Sequence, residues 1–141
     1  MEKIAIVYWS GTGNTERMSE LVREGISSAG AEAVVYSADS FGSGEMSSYS
    51  KIAFGCPSMG DEVLEEDVFE PMFSSVESGL AGKKIALFGS YGWGDGEWMR
   101  SWLERCKGAG ASVVSSAIAN EYPDGGEESE CRSLGAALAK A

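Results

Sequence analysis

Short apolar runs alternate along the whole chain with segments of helical periodicity. The five runs are Ile4–Trp9, Ala33–Tyr36, Ile52–Cys56, Ile85–Phe88 and Val113–Ala119. The first and the fourth are almost continuously apolar, which is typical of parallel strands covered on both faces. The segment after the first run has apolar residues at helical spacing, at Met18, Leu21, Val22 and Ile26. The alternation predicts β-α-β units, and therefore an α/β fold with a doubly wound, five-stranded parallel sheet and helices on both faces.

The later segments follow the same rule. Trp98 and Trp102 belong to a helically spaced set before the last run, which favours core positions for both rings. The stretch Ser37–Ser50 is rich in Ser and Gly, and it predicts a loop with at most a weak helix. Pro71 should begin a helix or kink one. No repeat or linker interrupts the pattern, so we expect residues 1–141 to form one domain.

The charge balance narrows the choice of partners and of chemistry. The chain has 22 acidic and 11 basic residues, and its net charge is −11. Such a surface repels nucleic acid and anionic membranes and attracts basic partner surfaces. The alternative is that the acidic residues serve only to keep the protein soluble. The chain has no histidine, which removes the commonest general base and the commonest transition-metal ligand. Ser–His and Cys–His hydrolases are therefore excluded in their usual forms, and we predict no catalytic residue and no metal site.

Neither a signal peptide nor a membrane span is predicted. The first apolar run is shorter than the apolar region of a signal peptide, and no other stretch is long enough for either element. We therefore expect a soluble, cytoplasmic monomer. Cys56, Cys106 and Cys131 form no CxxC pair, and their odd number indicates free thiols rather than a disulfide framework.

Unusual sequences follow the first, third and fourth apolar runs. We call them the first loop (Ser10–Thr15), the second loop (Cys56–Glu62) and the third loop (Ser90–Glu97). In an open α/β sheet, ligands bind outside the carboxyl ends of the strands, at the point where the strand order reverses. These loops are therefore the candidate ligand-binding segments.

The first loop is suited to an anion. It opens a helix with the sequence Ser10-Gly11-Thr12-Gly13-Asn14-Thr15. Its glycines let several N–H groups converge, the helix start adds a positive dipole end, and four side chains add donors. It lacks the lysine of a Walker loop, and Glu16 stands where a GxGxxG loop has its third glycine. The pattern predicts one terminal phosphate held by neutral donors; the alternative is a turn that only caps the helix.

The second and third loops each carry a side chain suited to a planar ring. Met59 offers a soft, polarizable group to a ring face, or else it packs into the core below an acidic turn. Gly60 permits a peptide in either of two orientations at little steric cost. Trp93 stands between Gly92 and Gly94, with no helix or strand to pack within. It predicts stacking on a planar ligand; the alternative is a buried Trp that anchors the loop.

Together the three loops resemble those of the flavodoxin family, short-chain type, as found in anaerobic bacteria. The resemblance covers essentially the whole chain. It implies the family's strand order, 2-1-3-4-5, with flavin mononucleotide (FMN) at the point of reversal. The first loop is similar to the family's phosphate loop. Met59–Glu62 resembles the segment at the flavin N5 edge, where an acid matching Glu62 accepts a hydrogen bond from flavin N3–H. Gly89–Gly94 resembles the segment that stacks an aromatic ring on the isoalloxazine.

One detail favours the short-chain type, and another departs from the family's pattern. The predicted last strand, Ser112–Asn120, has no room for the insertion that interrupts it in the long-chain type. Pro57 stands where some relatives carry a serine near the phosphate, and Ser58 follows one residue later. The resemblance implies these FMN-binding residues: Ser10, Gly11, Thr12, Gly13, Asn14, Thr15, Ser58, Met59, Gly60, Asp61, Glu62, Ser90, Tyr91, Gly92, Trp93 and Gly94.

The resemblance also implies a function. It is that of a low-potential one-electron carrier, not an enzyme, whose FMN cycles mainly between semiquinone and hydroquinone. The expected partners are redox proteins with basic surfaces. The alternative is a flavodoxin-like NAD(P)H-dependent quinone reductase, although the chain has little spare length for the second pocket of such an enzyme. A signalling receiver domain is disfavoured, because Ser10 and Pro57–Met59 stand where a receiver needs acidic residues.

Overall fold

Five parallel strands form one sheet in the computed structural model, which describes residues 2–141. The strands are β1 (Lys3–Tyr8), β2 (Glu32–Ser37), β3 (Lys51–Gly55), β4 (Lys84–Tyr91) and β5 (Ser112–Asn120). Their order is β2-β1-β3-β4-β5, and every neighbouring pair is parallel. The order implied by the resemblance is confirmed, and β5 runs as one strand of 9 residues without an insertion.

The helices alternate with the strands as predicted. They are α1 (Asn14–Ser28), α2 (Ser43–Met46), α3 (Phe69–Val76), α4 (Glu97–Gly108) and α5 (Gly125–Lys140). The short α2 and a 3-10 turn at Ala38–Ser40 lie in the segment expected to be a loop with at most a weak helix. Within residues 2–141, no helix combines the length and the apolar composition needed to cross a membrane.

Both faces of the interior strand β1 are buried, which explains the almost continuously apolar first run. Along β1, Ile4 and Ile6 join the core beneath α1 and α5. Ala5 and Val7 point to the opposite face and join the core beneath α3 and α4. Helices on both faces are therefore confirmed.

The core beneath α3 and α4 is rich in aromatic rings. Trp102 meets Phe69 and Phe73 nearly at right angles, with ring centroids 5.4 and 5.8 Å apart. Trp98 and Trp102 are each only 2% exposed. The core positions predicted for these two tryptophans are confirmed.

Helices α1 and α5 touch backbone to backbone. A Cβ at Gly25 would lie 2.0 Å from the Arg132 carbonyl oxygen, and a Cβ at Gly135 would lie 2.1 Å from that of Val22. Only glycine permits this approach. The contact holds α1, which carries the end of the first loop, against the C-terminal helix.

Helix α3 is capped by a carboxylate that precedes it. The buried Glu65 accepts backbone N–H bonds from Asp67, Val68 and Phe69 at 2.7–2.8 Å. Burial raises the pKa of Glu65, but these three donors outweigh it and leave the pKa below its usual value. Pro71 lies in the first turn of α3, where its missing N–H costs no helical hydrogen bond.

All three cysteines are buried and free, as predicted. Burial raises the pKa of Cys106 and of Cys131 to about 12. Burial also raises the pKa of Cys56. The thiols therefore stay protonated at neutral pH, and a protonated thiol is a poor nucleophile.

Candidate functional site

The strand order brings the first, second and third loops together at one edge of the sheet. It reverses between β1 and β3, and β4 follows beside β3. A cleft of about 250 Å³ opens there, a little below the roughly 300–1,000 Å³ of typical ligand sites. It is lined by Trp9, Gly11, Thr12, Asn14, Pro57, Ser58, Met59, Ser90, Tyr91, Gly92 and Glu121. The first, second and third loops therefore all contribute residues to the lining of the cleft.

The first loop is shaped by the side chain of Ser10. Its Oγ accepts hydrogen bonds from the N–H groups of Gly13 and Glu16, each at 3.2 Å. Gly13 has a φ of 94°, a conformation that favours glycine. No acceptor within residues 2–141 receives the backbone N–H groups of Thr12 and Asn14, and both residues line the cleft. The loop thus caps α1 through Ser10 and still offers free donors to an anion.

The two threonines of the first loop have different surroundings. Thr12 is exposed at the cleft, whereas Thr15 is 1% exposed. The Thr15 hydroxyl lies 3.1 Å from the Ser90 hydroxyl and accepts the Ser90 N–H at 3.4 Å. The side chain of Thr15 therefore links the first loop to the third instead of facing the cleft.

The second loop is a tight hairpin. Met59 and Val63 exchange two backbone hydrogen bonds, at 2.8 and 2.9 Å. Gly60 and Glu62, between them, have φ values of 51° and 56°. Met59 is 38% exposed and lines the cleft, so the alternative of a core position is wrong. Ser58, just before the hairpin, donates its N–H to the Ser90 carbonyl at 2.9 Å.

The third loop exposes one tryptophan beside a buried one. Trp93 is 62% exposed, so the alternative of a buried anchor is wrong. It directly follows Gly92, which lines the cleft, but Trp93 is not itself among the lining residues. Trp98, at the start of α4, donates its indole N–H to the Cys56 carbonyl at 3.2 Å. Trp93 is thus the tryptophan of this loop that is free to meet a ligand.

The charged side chain in the cleft lining is acidic. Glu121 is the one charged residue that lines the cleft within the described part of the chain, and no Lys or Arg does so. In the third loop, Asp95 pairs with Arg100 at 2.9 Å, and this hydrogen bond lowers the pKa of Asp95. No ion pair within residues 2–141 involves Asp61, Glu62 or Glu121. Residues 2–141 also contain no group of three His, Cys, Asp or Glu side chains that could hold a metal ion.

The predicted list of site residues misses three residues of the cleft, Trp9, Pro57 and Glu121. The Trp9 ring packs under the first loop, 2.9 Å from where a Cβ on Gly11 would lie. The first apolar run includes Trp9, but β1 ends at Tyr8, so Trp9 lies one residue beyond the strand. Glu121 follows β5 with a φ of 60°, and its N–H bonds the Tyr91 carbonyl at 2.8 Å. The loop after β5 reaches the same edge of a parallel sheet, and that rule could have identified it.

The cleft fits the FMN that the resemblance implies. Free N–H groups at the start of α1 suit a phosphate and require no metal ion. Met59, Trp9 and Tyr91 provide apolar surface suited to a flat ring. The residues present can therefore hold both ends of the cofactor.

Comparison with known proteins agrees with this geometry. The flavodoxin family model matches residues 6–135. The flavodoxin of Megasphaera elsdenii is 46% identical over 138 residues, which are 98% of this chain and 99% of the relative. The flavodoxin of Clostridium beijerinckii is 45% identical over 135 residues, 95% of this chain and 97% of the relative. The solution structure of the two-electron reduced Megasphaera elsdenii flavodoxin superposes with a TM-score of 0.92 over 98% of this chain and 99% of that one. The chain belongs to the flavodoxin family, whose members are FMN-containing electron-transfer proteins rather than enzymes with a substrate of their own.

Proposed function

We propose that this flavodoxin is a low-potential one-electron carrier whose FMN cycles mainly between semiquinone and hydroquinone. It works as a cytoplasmic monomer of one domain, residues 1–141, and shuttles electrons between redox enzymes with basic surfaces. The observation that carries the proposal is the charge of the cleft: the one charged residue that lines it is the acidic Glu121, and no Lys or Arg does so within the described residues.

The cofactor assignment follows the three loops. The first loop and Ser58 bind the phosphate, with Thr12 and Asn14 facing the cleft. The hairpin Met59–Glu62 lies at the flavin edge. The segment Ser90–Gly94 covers the ring, with Trp93 stacked on it. The exposure of Met59 and Trp93, 38% and 62%, supports this assignment, because large apolar side chains in exposed loops suit a ring that covers them.

Electrostatics supports the low potential. Fully reduced flavin at neutral pH is an anion. One carboxylate about 10 Å away, at an effective dielectric near 20, disfavours an anion by about 1.7 kcal/mol. For one electron that energy lowers the second potential by roughly 70 mV. Asp61, Glu62, Glu97 and Glu121 have no ion-pair partner in residues 2–141, whereas Arg100 offsets the charge of Asp95.

Gly60 supports the separation of the two electron steps. The neutral radical carries a proton at N5, and that N–H needs an acceptor. We propose that the Gly60–Asp61 peptide turns its carbonyl toward N5 in this state. Gly60 already has a φ of 51°, and a Cβ there would meet no atom within 4 Å. The backbone conformation, and not crowding, is therefore what a side chain at this position would oppose.

We predict that Thr12→Ala weakens FMN binding by about 1.5–3 kcal/mol, because it removes a hydrogen bond to a charged phosphate. Riboflavin, which lacks the phosphate, should bind far more weakly than FMN and should be unaffected by the change. Calorimetric titration of the apoprotein with both ligands measures this. Ser48→Ala, an exposed hydroxyl outside the cleft, is the control. Equal affinity of the wild type for FMN and riboflavin would rule out the phosphate site.

We predict that Trp93→Ala weakens FMN binding by roughly 1–3 kcal/mol, the range for one aromatic ring stacked on a base. It should also raise the fluorescence of bound flavin, since a stacked indole quenches it. Tyr122→Ala is the matched control, because Tyr122 is a 58% exposed ring outside the cleft lining. A larger change in flavin fluorescence from Trp98→Phe would mean that the wrong ring has been chosen.

We predict that Gly60→Ala lowers the first reduction potential and brings the two potentials together. The turned peptide must cost a residue with a Cβ more than the present φ of 51° does; a difference of about 1–2 kcal/mol, the scale of a left-handed backbone, is roughly 40–90 mV for one electron. Spectroelectrochemical titration measures both potentials and the blue neutral radical. Gly82→Ala, with a φ of 81° and open space, applies a similar strain elsewhere and should move neither potential. Wild-type protein without a stable radical would contradict the mechanism.

We predict that electron transfer to a basic redox protein slows as salt rises. The net charge of −11 steers encounter over about a Debye length, roughly 30 Å at 0.01 M salt and 10 Å at 0.1 M. Stopped-flow rates with a basic cytochrome as acceptor test this, with a neutral quinone as the control that should show little salt dependence. If the rate of electron transfer to the cytochrome did not depend on ionic strength, the acidic residues would serve only to keep the protein soluble.

A further inference from the structure

Glu62 joins the second loop to helix α4. Its Oε1 accepts the N–H of Glu97, the first residue of α4, at 3.0 Å and across 35 positions of sequence. The N-cap position of α4 is Gly96, which has no side chain with which to cap the helix. Glu62 therefore supplies the missing cap from another loop, with its charge at the positive end of the helix dipole.

Gly94 leaves the space that Glu62 occupies. A Cβ at Gly94 would lie 2.5–2.7 Å from the carboxylate carbon and oxygens of Glu62. Any side chain at this position must therefore displace the carboxylate. The neighbouring glycines do not share this contact: a Cβ at Gly92 meets nothing within 4 Å, and one at Gly96 first meets Ile118 Cδ1 at 3.4 Å.

The backbone of Glu62 is held in a costly conformation. Its φ of 56° lies in the left-handed region that residues with a Cβ disfavour. Such strain persists only where surrounding contacts over-determine it. Here the Met59–Val63 backbone pair fixes one end and the bond to Glu97 fixes the side chain.

We propose that Glu62, Gly94 and the N-terminus of α4 form a latch between the second and third loops, and that the latch sets the spacing of the loops that hold the flavin ring. The consequence for FMN rests on the proposed function. Oε2 of Glu62 accepts no hydrogen bond from residues 2–141, and a carboxylate has about four acceptor sites, so the latch is compatible with a cofactor contact. Glu62 is thus a positioning residue for the third loop, and Gly94 positions Glu62.

The latch itself is tested by hydrogen exchange of the Glu97 amide in the full-length, FMN-bound protein, followed by NMR. Glu62→Ala should speed this exchange roughly fivefold or more, as for the loss of one hydrogen bond, and Glu62→Gln, which keeps an acceptor, should stay within about twofold of wild type. The Ala109 amide, at the far end of α4, is the internal control and should not change. The same measurement on the full-length protein without FMN should give the same ranking.

The role of Gly94 is tested by the rate of FMN release from diluted holoprotein. Gly96→Ala is the matched control, because its φ of 93° is close to the 86° of Gly94 while its Cβ would not meet Glu62. Gly94→Ala should release FMN roughly tenfold faster than Gly96→Ala. When each is combined with Glu62→Ala, the two release rates should differ by less than about twofold. The double variants thereby separate the steric clash between the new Cβ and the Glu62 carboxylate from the backbone strain that both glycine substitutions cause.

The outcomes decide between the latch and the function on which it rests. Unchanged Glu97 exchange in Glu62→Ala overturns the latch, whatever the FMN results. Equal FMN release by Gly94→Ala and Gly96→Ala, with Glu62 intact, overturns the role of Gly94 and the effect on the cofactor. A wild type that fails the FMN and riboflavin comparison contradicts the proposed site, and the exchange on FMN-free protein still decides the latch. If Gly94→Ala does not fold, the comparison of Glu62→Ala with Glu62→Gln decides alone.

Discussion

The arrangement of the cleft depends on the hydrogen bonds of one buried residue, Ser90. Its hydroxyl meets Thr15 of the first loop, and its carbonyl accepts the N–H of Ser58 in the second. Ser90 itself is the last residue but one of β4 and is 4% exposed. Because β1, β3 and β4 end at the same edge of the sheet, these two contacts connect all three loops along that edge, where the cleft lies. Short loops on a rigid sheet can then hold a cofactor without a second domain.

The proposed cofactor site would combine anion binding in the first loop with an acidic residue, Glu121, in the cleft lining. The first loop offers backbone N–H groups and hydroxyls and contains no Lys or Arg. A cation there would hold a phosphate more strongly, but it would also stabilise negative charge on a nearby reduced ring. Neutral donors would avoid that effect, and carboxylates such as Asp61 and Glu121, which form no ion pair within residues 2–141, would act in the opposite direction. The proposed phosphate site and the proposed low potential are therefore compatible because of the choice of donors.

Much of the fold could be predicted from the sequence, because parallel strands and amphipathic helices leave a local pattern. The apolar run of β1 indicated burial on both faces, and the structure divides Ile4 and Ile6 from Ala5 and Val7 in that way. The spacing of Trp98 marked it as a core residue, and the glycines around Trp93 marked that ring as exposed. These inferences succeed because each rests on neighbours within one turn or one strand.

The sequence by itself determined the alternation of strands and helices, the charge, and the three loops that line the cleft. It also carried the family resemblance, whose motifs lie within single loops. Only the tertiary structure decided that Thr15 faces Ser90, that Trp9 and Glu121 line the cleft, and that Glu62 caps α4 across Gly94. Each of these contacts joins residues brought together by strand order and helix packing. The spacing of residues along the chain does not reveal such contacts, because they are stabilised by burial and by hydrogen bonds between segments that are distant in sequence.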